Sequence, residues 1–137
     1  MKAFECKMCG ECCKGRGGIC IIEEEIKAIA KYLKITKEEF LKKYCVIRRG
    51  HYYIKEKEDL SCVFLDEDGK CLIHPCNPLP CRLWPYWKGL LKSELDWQAL
   101  MSFCPGLNKD APYGLFVKEG ISYRKKIMSK EDERSYL

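Results

Sequence analysis

The sequence predicts a small α+β protein, rich in loops and organised by bound metal, with a short helix pair and β-hairpins. Three observations support this: 11 of the 137 residues are cysteine, apolar residues recur at helical spacing after residue 22, and strand-forming residues flank a glycine turn soon afterwards. Without the cysteines, the apolar share falls below that of an ordinary globular domain. A core of that size predicts that metal or disulfides help to stabilise the fold.

Two amphipathic helices are predicted in the first third of the chain. The glutamates at residues 23–25 suit a helix N-terminus, where negative charge is favoured, and apolar residues then follow at i, i+3, i+4 and i+7. Thr36 and Glu39 form the signature of a capping box ahead of a second apolar stripe. The sequence therefore predicts a short antiparallel helix pair over residues 23–33 and 37–44.

Strand-forming residues follow the helix pair. Residues 45–56 carry branched and aromatic side chains around a turn at Gly50. Residues 62–65 and 71–73 flank the turn signal Asp68-Gly69. The two segments predict two β-hairpins.

The second half of the chain is predicted to be less regular. Prolines exclude long regular structure from residues 74–86, whereas residues 90–103 are predicted to be helical. The whole chain, residues 1–137, is interpreted as a single cysteine-cluster metal-binding domain with its core in 4–106 and a charged C-terminal tail in 118–137.

The compartment decides how the cysteines are interpreted. The chain shows neither a signal peptide nor an apolar run of membrane-spanning length, so we expect a cytoplasmic protein with reduced thiols and no membrane contact. The odd number of cysteines also argues against a closed disulfide framework. The pattern therefore indicates metal binding or redox chemistry, and no catalytic constellation identifies an enzyme activity.

The first cysteine group lies at the start of the chain. Cys6, Cys9 and Cys12 are separated by two residues each, and Cys13 follows directly. This spacing lets tight turns direct thiolates at one centre, and it suits three corners of an iron–sulfur cluster or most of a tetrahedral zinc site. Adjacent side chains diverge, so Cys12 and Cys13 indicate two metals, a polynuclear cluster, or one ligand with one spare thiol.

The second cysteine group is spread over residues 62–104. Cys76 within it is only a possible ligand, and the neighbouring His74 is a possible zinc ligand. Cys20 and Cys45 lie on apolar stretches and are interpreted as core residues. The members of the group lie on predicted hairpin arms or beside prolines, and they are Cys62, Cys71, Cys76, Cys81 and Cys104.

Four short motifs occur in order along three quarters of the chain. They are Phe4-Glu5-Cys6-x-x-Cys9-Gly10-x-Cys12-Cys13, Cys62-Val63-Phe64-Leu65 with Cys71-Leu72-Ile73, Pro78-x-x-Cys81-Arg82, and Cys104-x-Gly106. With these motifs the chain resembles the CxxCxxCC family of zinc- or iron-chelating proteins, also called YkgJ-like cysteine cluster proteins. It departs from the family pattern at Asn77, where the family usually has arginine. The resemblance implies eight candidate metal ligands: Cys6, Cys9, Cys12, Cys13, Cys62, Cys71, Cys81 and Cys104.

The cysteine spacing favours an iron–sulfur cluster, such as a 4Fe-4S cluster, over zinc. Zinc ribbons usually pair two Cys-x2-Cys elements, whereas only the first group here has that gap. One local triad with remote ligands is more typical of a cluster. We therefore predict an iron–sulfur protein with a redox or accessory role and an unknown protein or redox partner, with zinc as the alternative cofactor.

The alternative function concerns a basic region. Residues 31–57 contain nine Lys or Arg against three Glu, which indicates a local basic patch. Arg48, Arg49 and the nearby tyrosines mix cations with aromatic rings, as single-strand binders do. A zinc-stabilised module that binds nucleic acid or protein through this region is the alternative, although a solvated hairpin surface explains the same residues more simply.

Overall fold

The computed structural model describes residues 1–7, 9–10, 12, 18–128 and 137. Within these residues the protein has six α-helices and one three-stranded antiparallel sheet, which confirms the predicted α+β class. The chain divides into two compact units, one formed by Gly10–Arg82 and the other by Met1–Cys9 with Leu83–Leu137. The single-domain boundaries drawn from the sequence stay a prediction.

The unit Gly10–Arg82 contains the sheet and the predicted helix pair. Thr36 caps the second helix, because its Oγ1 accepts a hydrogen bond from the Glu39 N–H at 3.1 Å. Both helices have the predicted bounds, and the first hairpin is confirmed. The elements of this unit as far as residue 54 are β1 (Cys20–Ile21), α1 (Glu23–Leu33), α2 (Lys37–Tyr44), β2 (Cys45–Arg48) and β3 (His51–Ile54).

The sheet has the strand order β1-β3-β2. Arg49 and Gly50, at φ 51° and 80°, form the tight turn that places Arg48 opposite His51. Strand β1 pairs with β3 and was not predicted, since two residues are too short to show an alternating pattern.

The core of this unit lies where α1, α2 and the sheet meet. Cys20 and Cys45 are buried in this unit with 7% and 6% exposure, in agreement with the sequence interpretation. Aromatic rings fill the centre, and the Phe40 and Phe64 rings stack with centroids 6.3 Å apart. The main buried residues are Ile21, Ile26, Ile29, Phe40, Ile54, Phe64 and Ile73.

The predicted second hairpin forms only as isolated antiparallel bridges. Leu65 pairs with Cys71, and Cys62 pairs with Glu56 rather than with a residue of the 71–73 arm. The Asp66 carboxylate accepts hydrogen bonds from the N–H groups of Asp68 and Lys70, at 2.9 and 2.8 Å. A side chain that binds these amides closes the turn locally and replaces ladder hydrogen bonds.

Short helical turns follow the 62–73 segment, as predicted from the prolines in residues 74–86. A single 3-10 turn spans His74–Cys76, and helix α3 (Leu79–Leu83) carries Cys81. No helix within the described ranges has both the length and the apolar character needed to cross a membrane.

The other unit is helical. Ser93 divides the predicted helix 90–103, because its side chain caps a new helix by accepting a hydrogen bond from the Asp96 N–H at 3.2 Å. The last helix continues through residues 118–127 of the predicted tail. The helices are α4 (Lys88–Lys92), α5 (Glu94–Leu100) and α6 (Tyr113–Ile127), around a core of Tyr86, Trp97, Leu100, Cys104 and Phe116.

Candidate metal centre

Among the described residues, four of the eight predicted ligand cysteines lie in the unit Gly10–Arg82, where Cys81 is within electrostatic range of Cys12, Cys62 and Cys71. Burial raises the pKa of the Cys81 thiol well above its ordinary value, and the nearby thiols of Cys12, Cys62 and Cys71 raise it further. Burial also raises the pKa of the Cys62 thiol, and the nearby thiols of Cys71 and Cys12 raise it further. The thiols of Cys62 and Cys81 therefore favour the protonated form, and a bound cation would favour their thiolates.

A tight turn positions Cys62. The Leu65 N–H donates to the Cys62 carbonyl oxygen at 3.0 Å, and the Phe64 N–H donates to the Cys62 sulfur. The hydrogen bond to sulfur favours the thiolate and partly offsets burial. Since the Phe64 ring is buried in the core with 2% exposure, the core fixes the amide that binds the sulfur.

Cys81 lies on a short helix between prolines. The Pro78 carbonyl oxygen accepts hydrogen bonds from the N–H groups of Cys81 and Arg82, at 3.0 and 3.1 Å. Pro78 and Pro80 are fully buried, so the backbone on both sides of Leu79 is rigid and anchored. Little conformational freedom is lost when Cys81 binds a metal.

Gly10 fixes the chain just before Cys12. It has a φ of +81°, and a Cβ atom there would lie 2.2 Å from the Gly69 carbonyl oxygen. Gly69 belongs to the turn that joins Cys62 to Cys71. The contact between the two glycines therefore directs the segment that carries Cys12 toward that turn.

A second group of thiols lies in the other unit. The Cys104 side chain is buried with 5% exposure, and burial raises the pKa of its thiol. The Gly106 and Leu107 N–H groups and the Trp84 side chain donate hydrogen bonds to its sulfur, and Cys9 is close enough for its charge to act on Cys104. Cys6 of the same unit is exposed.

Backbone pairing holds the N-terminal segment against the Cys104 loop. The Glu5 N–H donates to the Gly106 carbonyl oxygen at 2.9 Å, and Phe4 forms an antiparallel bridge with Leu107. A Cβ atom on Gly106 would lie 2.6 Å from the Glu5 carbonyl oxygen, so only glycine allows this approach. The segment leading into Cys6 is thus anchored beside the Cys104 loop.

The remaining predicted ligands are less well placed. Cys76 lies near Cys71, and burial raises the pKa of its thiol. His74 begins the 3-10 turn and is half-buried. Cys13 lies outside the described residues. The roles of all three as ligands stay predictions.

Aromatic residues lie near the second thiol group. The Trp84 side chain donates a hydrogen bond to the Cys104 sulfur, and its ring packs edge-on against Trp87 with centroids 5.3 Å apart. Tyr86 and Trp97 belong instead to the helical core. Trp84 therefore contacts a predicted ligand directly.

The donor set fits a metal that prefers sulfur. Among the described residues, no three candidate side chains lie close enough together to hold one metal ion. Burial affects the thiols of Cys62, Cys81 and Cys104, and N–H donors bind the sulfurs of Cys62 and Cys104, conditions that suit thiolate ligation.

One residue near the thiols was missed in the sequence. Glu25 was interpreted only as part of a helix N-terminus, but its carboxylate lies close enough to Cys81 to act on that thiol. It is the third residue of α1, and its inward direction could have been found from the apolar stripe that begins at Ile26.

Comparisons with known proteins assign the chain to a family of metal-chelating domains. The model of the CxxCxxCC family, a putative zinc- or iron-chelating domain, matches residues 5–105. The chain is also 39% identical over 87 residues to the uncharacterised protein MJ0661 of Methanocaldococcus jannaschii, over 61% of this chain and 45% of that protein. The chain thus spans less than half of this relative. No solved structure matches the chain.

The chain belongs to the CxxCxxCC family. The family assignment and the thiol arrangement together support metal binding, with zinc and iron as the two metals that the family description names.

Proposed function

We propose that the protein binds an iron–sulfur cluster through Cys12, Cys62, Cys71 and Cys81 and serves a redox or accessory role with a protein redox partner. The observation that supports this most strongly is the convergence of the four thiols from separate segments of one compact unit. Burial favours the protonated forms of the Cys62 and Cys81 thiols, so binding a cluster would release their protons and couple metal binding to folding.

The sequence spacing of the cysteines favours a cluster over a single zinc ion. Zinc ribbons usually pair two Cys-x2-Cys elements, whereas only the N-terminal group of this chain has that gap. One local triad with remote ligands is more typical of an iron–sulfur cluster.

Hydrogen bonds to sulfur also support a cluster with a redox role. The Phe64 N–H donates a hydrogen bond to the sulfur of Cys62, one of the four proposed ligands. Hydrogen bonds to cysteine sulfurs are among the features that set the reduction potential of iron–sulfur clusters.

Metal analysis of anaerobically purified protein tests this proposal. We expect brown protein with iron and acid-labile sulfide in equal amounts, and with absorbance that bleaches on reduction. Colourless protein that contains zinc and no sulfide would overturn the cluster and leave the zinc alternative. Cys45→Ala is the matched control for Cys62→Ala, since both remove one thiol but only Cys62 lies in the proposed centre.

The β2–β3 hairpin supports a second candidate function, nucleic-acid binding. Its turn places Arg48 opposite His51, with Arg49 at the tip, and all three side chains are exposed. The Arg48 guanidinium also lies over the Tyr53 ring, 5.6 Å from its centroid. Basic and aromatic groups thus converge at one end of the sheet, as single-strand binders require.

Binding to labelled single-stranded DNA at several salt concentrations tests this candidate. Affinity should fall steeply with salt through counterion release, and the Arg48→Ala/Arg49→Ala variant should bind more weakly. Lys125→Ala/Lys126→Ala removes the same charge from α6 and is the control. Equal affinities for both variants would leave the hairpin as a solvated surface.

A further inference from the structure

The Glu25 carboxylate connects two backbone segments that are far apart in sequence. Its Oε1 accepts a hydrogen bond from the Ile22 N–H at 3.0 Å, and its Oε2 accepts one from the Leu79 N–H at 2.6 Å. Ile22 precedes α1, and Leu79 is the first residue of α3. One carboxylate therefore holds the start of both helices.

Leu79 has the only backbone N–H group in the segment Pro78-Leu79-Pro80. Proline has no N–H group, so neither flanking residue can donate a backbone hydrogen bond. Glu25 accepts that donor. Cys81 follows two residues later on a helix of only five residues, so this hydrogen bond fixes where the cysteine lies.

We propose that Glu25 is the positioning residue for Cys81 in the metal centre. The inference rests on the proposed function, because it concerns one ligand of that centre. Through the hydrogen bond to Leu79, Glu25 sets the start of α3 relative to α1. It thereby keeps the Cys81 thiol beside the thiols of Cys12, Cys62 and Cys71.

The two neighbouring glutamates do not share this geometry. Glu23 pairs with Lys37, and Glu24 is exposed on the surface of α1. All three glutamates favour the N-terminus of α1 through its dipole, but only Glu25 binds the α3 backbone. Glu24→Ala is therefore a matched control, since it removes the same charge from the same helical turn.

Cobalt affinity measures the role of Glu25. Co²⁺ is added anaerobically to the reduced, metal-free chain in competition with a chelator, and the thiolate-to-cobalt charge-transfer bands are recorded. We expect Glu25→Ala to bind Co²⁺ about tenfold or more weakly than the wild type, as is usual when a residue that orients a ligand is lost. Glu24→Ala should match the wild type. Equal affinities for the two variants would overturn the proposal.

A second measurement separates Glu25 from the proposed function. In the reduced, metal-free chain, the alkylation rate of Cys81 relative to Cys45 is followed by mass spectrometry. Glu25→Ala should expose Cys81 and raise its relative rate at least threefold, whereas Glu24→Ala should not. A wild type without cobalt bands would refute the metal centre, and the alkylation rates would then decide on Glu25.

Glu25→Gln keeps the proposal testable if Glu25→Ala does not fold. The glutamine keeps one acceptor oxygen, which can serve Ile22 or Leu79 but not both. We expect Glu25→Gln to bind Co²⁺ more weakly than the wild type, but by less than the tenfold expected for Glu25→Ala. Wild-type affinity and wild-type Cys81 alkylation in Glu25→Gln would overturn the role of the paired hydrogen bonds.

Discussion

The carbonyl oxygen of Gly69 lies 2.2 Å from the point that a Cβ atom on Gly10 would occupy. Gly10 follows Cys9 and precedes Cys12, and Gly69 belongs to the turn that leads to Cys71. Two segments that each carry candidate ligands can approach this closely only because Gly10 has no side chain. The glycine in the N-terminal motif therefore has a steric function in the assembly of the thiol group.

Gly10→Ala should destabilise the protein and impair the metal centre. The positive φ and the overlap with Gly69 together should cost about 3 kcal/mol in the free energy of unfolding. Gly50→Ala is a matched control, since Gly50 has φ +80° against +81° for Gly10, and a Cβ atom on Gly50 would have no neighbour within 4 Å. Chemical denaturation of both variants should show a cost of only about 1 kcal/mol for Gly50→Ala. Equal costs would show that the contact with Gly69 is unimportant.

The sequence was sufficient to predict the elements with strong local signals. The helix bounds 23–33 and 37–44 agree with the structure because apolar periodicity and a capping threonine act within a few residues. The first hairpin was predictable for the same reason, since its turn glycine and branched residues are contiguous.

The grouping of the thiols was not predictable from spacing. The sequence suggested one N-terminal and one later group, whereas the structure places Cys12 with Cys62, Cys71 and Cys81, and Cys9 with Cys104. The partition depends on close backbone contacts at Gly10 and at Gly106, which are steric and long-range. No local pattern encodes which distant segment a glycine will contact.

Single cysteine variants should separate ligands from core residues. Cys71→Ala and Cys81→Ala should lose metal or fail to fold, whereas Cys20→Ala and Cys45→Ala should keep full metal content. The core variants should lose about 1–2 kcal/mol of stability, because each removes a small buried side chain. Elemental analysis gives the metal per chain for each variant. Full metal content in both Cys71→Ala and Cys81→Ala would contradict the proposed ligand set.

Cys45 should make the folded protein sensitive to alkaline pH. Burial raises the pKa of the Cys45 thiol to about 11 from an ordinary value of 9.0. Between these two pH values the thiol is protonated in the folded state but ionised in the unfolded state. The unfolded state then binds fewer protons, so the free energy of unfolding falls as pH rises from about 9 to about 11. The loss should reach at most about 3 kcal/mol.

Urea denaturation between pH 8 and pH 11 measures this effect on metal-loaded protein, whose ligand thiols do not titrate. Cys45→Val keeps an apolar side chain of similar size and should have a flatter stability profile over this range. Parallel profiles for the wild type and Cys45→Val would show that another group causes the alkaline loss.

Metal removal should loosen one part of the unit Gly10–Arg82 more than the rest. Residues 62–76 carry Cys62 and Cys71 but have only isolated bridges and short turns, whereas β3 is paired on both sides by β1 and β2. Metal binding energy acts as folding energy where other interactions are few. Chelation under reducing, anaerobic conditions should therefore raise amide hydrogen exchange in residues 62–76 about tenfold or more, with a smaller change in β3. Unchanged exchange in residues 62–76 would show that the metal does not hold this segment.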